Sequence, residues 1–143
     1  MYFSCFGAEL KHLLIIEDDK NTLSGLIELF RDEGFLVTGT ACGESGIDAV
    51  IKNKIDMVLC NYKLPDYDGL VVCRKIKQIN SEIKIFLMTT FYQKHMEDVA
   101  PFCGVIKIFQ KPIDVNNLIS SMRSHNFNKN LNSSDFMPFI MKC

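Results

Sequence analysis

The stretch VLCNYKLPDYDG, from Val58 to Gly69, decides how the chain folds. It begins with an apolar run, reaches Asn61, and then turns through a proline and an Asp-Gly pair. A short apolar run that is bounded by turn residues is typical of a buried strand. In open α/β sheets ligands bind beyond the carboxyl ends of the strands, so Asn61 is predicted to lie at the functional rim of such a sheet.

The rest of the chain alternates between short apolar runs and amphipathic segments. The predicted strands are Leu13–Ile16, Phe35–Gly39, Ile55–Cys60, Lys84–Met88 and Val105–Phe109. Between and after them, apolar residues recur at the spacing of one helix face, and Asp114 is a good N-cap for the last helix. The strand runs are mostly continuous, as expected when helices cover both faces of a parallel sheet. The sequence therefore predicts an α/β, doubly wound (βα)5 domain.

Composition and charge exclude several classes of protein. The chain has 143 residues, enough for one domain with a real core, and its net charge of −1 offers no broad surface for nucleic acid. The longest apolar run, Leu13–Ile16, is too short to span a bilayer, and the start MYFSCFGAELKH lacks the features of a signal peptide. Six cysteines without a C-x-x-C pair predict buried, reduced thiols and a cytoplasmic location.

The composition also divides the chain into three parts. Residues 1–11 are predicted to be an N-terminal extension and residues 12–124 the folded domain. From Ser124 the sequence becomes rich in Asn and Ser, so residues 125–143 are predicted to be a flexible C-terminal tail. The apolar end of that tail, Phe136–Cys143, is too short for a second domain.

Polar residues gather where the predicted strands end. Glu17 and Asp18 follow the first strand, Asn61 the third, Thr89 and Thr90 the fourth, and Lys111 and Pro112 the fifth. Adjacent carboxylates suit a hard cation such as Mg²⁺, while a hydroxyl and a lysine can hold phosphoryl oxygens. A carboxylate at position 61 would be the obvious nucleophile for a phosphoryl group, but this chain carries an amide there.

Four motifs in order resemble those of one known family. They are LLIIEDD, VLCNYKLPDYDG, IFLMTT and IFQKP. Together they resemble the receiver domain of two-component response regulators, across roughly His12 to Ser124. The resemblance implies the flavodoxin-like receiver fold, with a five-stranded parallel sheet in the order 2-1-3-4-5.

The resemblance also assigns roles to residues at the rim. The metal-binding positions that it implies are Glu17, Asp18, Asn61 and the backbone carbonyl of Lys63. The phosphoryl-binding and switch positions are Thr89, Lys111 and, where the family has an aromatic residue, Ile108. Asn61 stands at the phosphoacceptor position, and the bond between Lys111 and Pro112 is expected to be cis.

Two departures from the family pattern change the expected activity. The amide of Asn61 is a very poor nucleophile, and it removes one negative charge from the metal site, so any Mg²⁺ binding should be weakened. Without a ring at Ile108, the usual coupling between threonine and aromatic residue cannot operate in its normal form. The sequence thus predicts a signalling protein that is not an enzyme: a phosphorylation-independent pseudo-receiver in a two-component or phosphorelay system.

Such a protein acts through protein partners, for example a histidine kinase or an effector, and neither nucleic acid nor a membrane is expected as a partner. In the family the usual contact surface is the face of the fourth helix, fifth strand and fifth helix. It maps to Gln93–Cys103, Val105–Phe109 and Val115–Arg123. A monomer or a weak homodimer is expected.

Several alternatives stay open at this point. Residue 61 is either natural or a substituted aspartate in a conventional phosphoacceptor. An aspartate-nucleophile phosphohydrolase needs D-x-D after the first strand, whereas Asp18 is followed two residues later by Lys20. A flavin carrier needs a phosphate loop there, and EDDKN would repel phosphate. A further hypothesis places the ammonium of Lys63 or Lys111 in the Glu17/Asp18 pocket, in place of the metal.

Overall fold

The computed structural model describes residues 10–132, with side chains described as far as His125. Most of the predicted N-terminal extension and the apolar segment 136–143 therefore lie outside the described residues. The chain divides into two compact units, one ending at Gln110 and one beginning at Lys111. Within the described residues, no helix has the length and apolar character needed to cross a membrane.

The first unit is built on a five-stranded sheet, which confirms the predicted fold class. Its strands are β1 (His12–Ile16), β2 (Leu36–Thr40), β3 (Met57–Asn61), β4 (Lys84–Thr89) and β5 (Val105–Gln110). All neighbours pair in parallel, in the order β2-β1-β3-β4-β5. The winding therefore reverses between β1 and β3, which is the point where doubly wound sheets open a crevice.

Helices connect these strands, and local capping fixes where they begin. They are α1 (Lys20–Asp32), α2 (Gly43–Lys52), α3 (Gly69–Ile79) and α4 (Met96–Val99), and a 3₁₀ turn (Ala100–Cys103) follows α4. The carboxylates of Asp19 and Asp68 accept from backbone N–H groups in the first turns of α1 and α3. Such caps satisfy donors that a helix start leaves unpaired.

The core explains the continuous apolar runs of the sequence. β3 and β4 are buried along almost their whole length, as is β1 after its first residue, because each has a neighbour on both sides. The edge strands are less covered: β2 has no fully buried residue, and β5 buries only Val105 and Phe109. On α3, the side chains of Val72, Cys73 and Ile76 are fully buried in the main core cluster.

The fourth helix is shorter than its predicted span, Gln93–Cys103. Only Met96–Val99 is α-helical, and the chain continues as a 3₁₀ turn that ends at Gly104 in a left-handed conformation (φ 82°). Pro101 accounts for the difference, since proline has no N–H to continue the helical hydrogen bonding. Of the apolar residues in this segment, Met96 and Ala100 are buried, whereas Val99 is exposed.

The second unit begins with a cis bond between Lys111 and Pro112, as the family resemblance implied. Asp114 accepts a hydrogen bond from the backbone N–H of Asn117, which confirms the predicted cap of α5 (Val115–Asn132).

The helix corrects one prediction, because α5 continues past Ser124 through residues 125–132, which composition had assigned to a flexible tail. No glycine or proline interrupts that stretch, and asparagine costs a growing helix well under about 1 kcal/mol per residue. The rest of the predicted tail lies outside the described residues, and the predicted domain bounds 12–124 stay a prediction.

Candidate functional site

The sheet brings the first two groups of rim residues together. β1 and β3 are direct neighbours, with Ile16 opposite Cys60, so the residues that follow them in the chain meet at one edge. Glu17 and Asp18 follow β1, and Asn61 is the last residue of β3. Sequence reasoning had placed these three side chains at one rim, and the structure brings them there.

The amide of Asn61 links the two sides of this rim. Its Nδ2 donates to Asp18 Oδ1 at 3.2 Å and to the backbone carbonyl of Lys63 at 2.9 Å. Both partners are acceptors, so hydrogen bonding requires the NH₂ group, rather than the amide oxygen, to face them. The side chain is held in place by these two bonds, and Asn61 is only 7% exposed.

This arrangement bears on whether the site fits a metal ion. The oxygens of Asp18 and Lys63 are two of those that the resemblance assigned to Mg²⁺, which binds oxygen ligands. Here an N–H donor faces both of them, so a cation would first have to rotate the amide and break both hydrogen bonds. In this conformation both oxygens are taken by the amide hydrogens, so any cation would bind in competition with Asn61.

The acidic neighbour Glu17 is more deeply placed than Asp18. Glu17 is 1% exposed, and its Oε2 accepts from the backbone N–H of Asp19 at 3.0 Å. Asp18 itself is exposed. The two adjacent acids therefore differ in role: Glu17 supports the turn after β1, and Asp18 presents its oxygen to Asn61.

The loop after Asn61 is closed by a glycine. Tyr62 donates its N–H to the Met88 carbonyl at 2.7 Å, and its own carbonyl accepts from Gly69 at 2.6 Å. A Cβ at position 69 would lie 2.3 Å from the Asn61 carbonyl oxygen. Only glycine allows this approach, so the Asp-Gly pair in the sequence is what lets the loop fold back on the strand end.

Asp66, in the middle of the same loop, is a residue that the sequence reasoning missed. Its two carboxylate oxygens accept from the backbone N–H groups of Gly43 and Glu44 at 2.8 and 2.9 Å, so it caps α2 from a distance. Desolvation by itself would raise the pKa of the Asp66 carboxyl. Hydrogen bonds from backbone N–H groups, those of Glu44 and Gly43 foremost, outweigh it and lower the pKa below its usual value. The available signal was that Cys42, the residue before α2, gives the helix no side-chain cap.

The two switch positions take separate places in the sheet. Thr89 is buried at the end of β4, and its Oγ1 accepts from the backbone N–H of Phe91 at 3.0 Å. Ile108 lies on β5 opposite Leu87 and packs, partly buried, against the core cluster. The hydroxyl therefore orders the loop after β4, while position 108 contributes an aliphatic contact to the core.

The hypothesis that a lysine replaces the metal is not supported for Lys63. Among the described residues, its ammonium makes no ion pair with Glu17 or Asp18. The Asn61 amide, which the hypothesis did not consider, makes the contacts instead. Lys111 belongs to the second unit, and its part of the hypothesis stays a prediction.

The cysteines of the described region are free thiols, as expected. Cys60 directly precedes Asn61, and Cys73 lies on α3; both are fully buried. Their mutual hydrogen bond and then burial raise the pKa of the Cys60 thiol well above its ordinary value. A buried thiol of this kind is unreactive, so the pair packs the core beneath the rim.

Known proteins resemble this chain in sequence. A family model described as the response regulator receiver domain matches residues 13–123. Sporulation initiation phosphotransferase F of Bacillus subtilis is 27% identical over 113 residues, which cover 79% of this chain and 91% of that protein. Response regulator SaeR of Staphylococcus epidermidis is 25% identical over 140 residues, covering 93% of this chain but only 61% of the relative. The transcriptional regulatory protein ZraR of Escherichia coli matches over 25% of its length.

Solved structures share the fold. A CheY-like receiver domain protein from Methanospirillum hungatei has a TM-score of 0.82 at 20% identity, covering 85% of this chain and 98% of that one. A two-component response regulator from Clostridium difficile gives 0.81 at 23% identity, with 85% and 99% covered. Response regulator TrrA from Thermotoga maritima, solved in complex with Mg(2+)-BeF, gives 0.73 at 22% identity, with 80% and 98% covered. These likenesses support the strand order and the winding described above.

Proposed function

Since the chain belongs to the response regulator receiver domain family, we propose that it is a receiver that signals without being phosphorylated and without being an enzyme. The observation that carries the proposal is the bonding of Asn61. An amide nitrogen has no lone pair free to attack phosphorus, because the pair is delocalised into the carbonyl group. In addition, both N–H groups of this amide are engaged, with Asp18 and with the carbonyl of Lys63.

The bonding of the amide also bears on the metal. A divalent cation between Asp18 and Lys63 would neutralise charge that here is met by hydrogen bonds from Asn61. We therefore propose that Mg²⁺ binds this chain weakly and leaves its conformation unchanged. TrrA, which was solved with Mg(2+)-BeF, provides the contrasting behaviour to test against.

Output through protein contacts is supported by the surface around the 3₁₀ turn. Phe102 is 86% exposed, and Val99 and Ile106 beside it in the sequence are exposed as well. Exposed aromatic side chains grouped with aliphatic ones mark interaction surfaces more often than isolated ones do. These residues fall within Gln93–Cys103 and Val105–Phe109, segments of the proposed contact face for a kinase or an effector protein.

A conventional phosphoacceptor with a substituted aspartate is the second candidate. It is favoured by the family match over residues 13–123, which supports the positions that the resemblance assigned to Glu17, Asp18, Thr89 and the Lys63 carbonyl. In that case an aspartate at residue 61 restores phosphorylation, while position 108 still lacks the aromatic residue of the family.

The deciding experiment is incubation of the full chain with acetyl phosphate and Mg²⁺, read by intact mass. No added phosphoryl group is expected on the wild-type chain, and Asn61→Gln serves as a second amide control. A base-labile phosphate on residue 61 or on a neighbouring acid of the wild type refutes the proposal. Clean labelling of Asn61→Asp with a change in its spectrum favours the second candidate; an unresponsive Asn61→Asp favours a true pseudo-receiver.

A further inference from the structure

A cleft opens beside the rim, between the loop after β3 and the loop after β4. Its volume is about 480 Å³, within the range of roughly 300–1,000 Å³ that small-molecule sites occupy. The residues that line it are Tyr62, Lys63, Leu64, Pro65, Asp66, Tyr67, Asp68, Phe91, Gln93 and Met96. Neither the family resemblance nor the site described above assigns it a ligand.

The walls of the cleft are apolar and aromatic. Leu64 and Met96 are buried within the protein and contribute its best-covered surface. Phe91 is 65% exposed and Tyr67 is 40% exposed, so large parts of both rings face solvent. Flat rings gain from stacking or edge contacts with other rings, which makes these walls suited to a planar aromatic molecule.

The acids of the cleft are already committed to internal donors. Asp66 accepts with both oxygens from the N-terminus of α2, and Asp68 accepts from Leu70 N–H at 2.8 Å. Asp68 also accepts from the hydroxyl of Tyr62, and both desolvation and Asp68 raise the pKa of that phenol. These carboxylates lie at helix starts, where the partial positive charge of the helix offsets their own.

Lys63, unlike Asp66 and Asp68, brings a positive charge to the lining of the cleft. Within residues 10–132, no hydrogen bond or ion pair engages its ammonium. Of the charged side chains that line the cleft, it is thus the one that can bond a ligand without breaking a contact within the described residues. A ligand that fills the cleft therefore matches it best when it carries an acceptor with negative charge, such as a carboxylate.

The cleft is coupled to the rim by two hydrogen bonds. The carbonyl of Lys63 accepts from Asn61, and the N–H of Phe91 donates to Thr89. A ligand held between Lys63 and Phe91 therefore touches the two loops that the family ties to phosphorylation. In a chain whose residue 61 takes no phosphate, that contact offers another way to change the same two loops.

We propose that this cleft is a binding site for a small aromatic carboxylate, with the ring against Phe91 and Tyr67 and the carboxylate on the ammonium of Lys63. Binding replaces phosphorylation as the input to the two loops, and in that respect the inference rests on the proposed function. Specificity comes from the combination of one cation with aromatic walls, since the two acids are held by their own helices.

The test is a titration of the full, ¹⁵N-labelled chain with indole-3-carboxylate, followed by amide chemical shifts. The neutral indole-3-carboxamide is the matched control ligand. We expect saturable shifts confined to residues 62–69 and 89–96, including the side-chain amide of Asn61, and at least about fivefold weaker binding of the carboxamide. Added salt should weaken the carboxylate more than the carboxamide.

Two variants separate the contributions of charge and ring. Lys63→Met keeps the backbone carbonyl that Asn61 uses, and it should weaken indole-3-carboxylate about fivefold while leaving the carboxamide unchanged. Lys94→Met removes a charge from an exposed residue outside the cleft and should change neither. Phe91→Ala should weaken both ligands about fivefold through the lost ring contact.

In the titrations, any of three results overturns the inference: shifts that scatter over the surface, equal binding of acid and amide, or equal effects of Lys63→Met and Lys94→Met. Shifts of the cleft residues on raising the concentration of the chain alone also overturn it, because they make the cleft a contact between two copies. No phosphoryl donor is present, so a failed titration leaves the proposed function standing. Labelling of residue 61 by acetyl phosphate refutes the proposed function and leaves the titration result unchanged.

Discussion

Two neighbouring segments of the rim differ in how far their polar groups are satisfied. In residues 61–69, the bonded loop, the Asn61 amide, the Asp66 carboxylate and the Tyr62 backbone all have partners within the fold. In residues 91–104, the open segment, the helix is broken at Pro101, and Phe91 and Phe102 face solvent. The bonded loop is thus closed by its own contacts, while the open segment leaves apolar side chains in solvent.

The largest loss of stability in either segment is expected from adding one carbon to the bonded loop. Gly69→Ala puts a Cβ against the backbone of Asn61 and Tyr62, neither of which can move away freely. We expect a loss of about 3 kcal/mol in the free energy of unfolding, as for severe overpacking. Urea denaturation measures it.

Gly25→Ala is the matched control for this prediction. It lies inside α1 with nothing within 4 Å of the added carbon, so it should instead gain about 0.5–1 kcal/mol. Equal effects of the two substitutions would show that the loop gives way and is not rigidly closed.

A carboxylate at position 61 tests the hydrogen bonds of the amide. Asn61→Asp removes both donors and sets a second negative charge beside Asp18, so we expect a loss of about 2 kcal/mol in stability without a divalent cation. Millimolar Mg²⁺ should restore part of that loss in the variant by binding the native state, and should leave the wild type unchanged. Thermal unfolding with and without Mg²⁺ measures both effects. A wild-type chain that Mg²⁺ stabilises as strongly as the variant contradicts the idea that the amide takes the place of the cation.

The pH dependence of the free energy of unfolding tests the hydrogen bonds that Asp66 makes from the bonded loop. The pKa of Asp66 is lowered from 3.8 in the folded chain, so its hydrogen bonds stabilise the fold above that value. This contribution disappears as the pH falls through the folded pKa. The stability difference between wild type and Asp66→Asn should therefore be largest near neutral pH and should shrink below about pH 4. Asp98→Asn, on the open segment, is the control. Denaturation curves from pH 7 to pH 2 compare the stability of each variant with that of the wild type.

The smallest change in stability is expected on the open segment itself. Phe102→Ser alters a side chain that is almost fully exposed, so the free energy of unfolding should stay within about 0.5 kcal/mol of wild type. Phe86→Ala, in the buried β4, should by contrast cost about 3–5 kcal/mol. If Phe102 belongs to a partner surface, Phe102→Ser weakens capture of a cognate kinase or effector while the fold remains intact. A large loss of stability in Phe102→Ser would show that the ring packs against the rest of the domain and does not belong to an exposed contact surface.

The sheet was predictable because burial leaves a direct mark on the sequence. Strands β1, β3 and β4 are covered on both sides, so their runs are continuous, and the residues just after those runs had to meet at one edge. That reasoning placed Glu17, Asp18 and Asn61 together. It could not give the direction of the Asn61 hydrogen bonds, which depends on the rotamer that the closed loop enforces.

Contacts between distant segments escaped the sequence reasoning for a related reason. The Asp66 carboxylate caps a helix that precedes it by more than twenty residues, and no local pattern encodes that pairing. Two wrong predictions, the spans of α4 and α5, concerned features that the local sequence does indicate. Pro101 was available to shorten α4, and the absence of glycine or proline after Ser124 allowed α5 to continue. Helical spacing predicted the longer α4 and composition predicted the tail, and neither pattern reflects the hydrogen bonding of the backbone.

The backbone hydrogen bond from Tyr62 to Met88 has a consequence for the lifetime of the molecule. Asparagine deamidates when the backbone nitrogen of the following residue attacks the side-chain carbonyl carbon and expels ammonia, and water then opens the resulting succinimide to aspartate or isoaspartate. Here that nitrogen belongs to Tyr62, whose N–H donates to the Met88 carbonyl of the neighbouring strand, with 2.7 Å between nitrogen and oxygen. Deamidation would place a carboxylate at position 61 without a mutation, and the sheet itself restrains the atom that would start it.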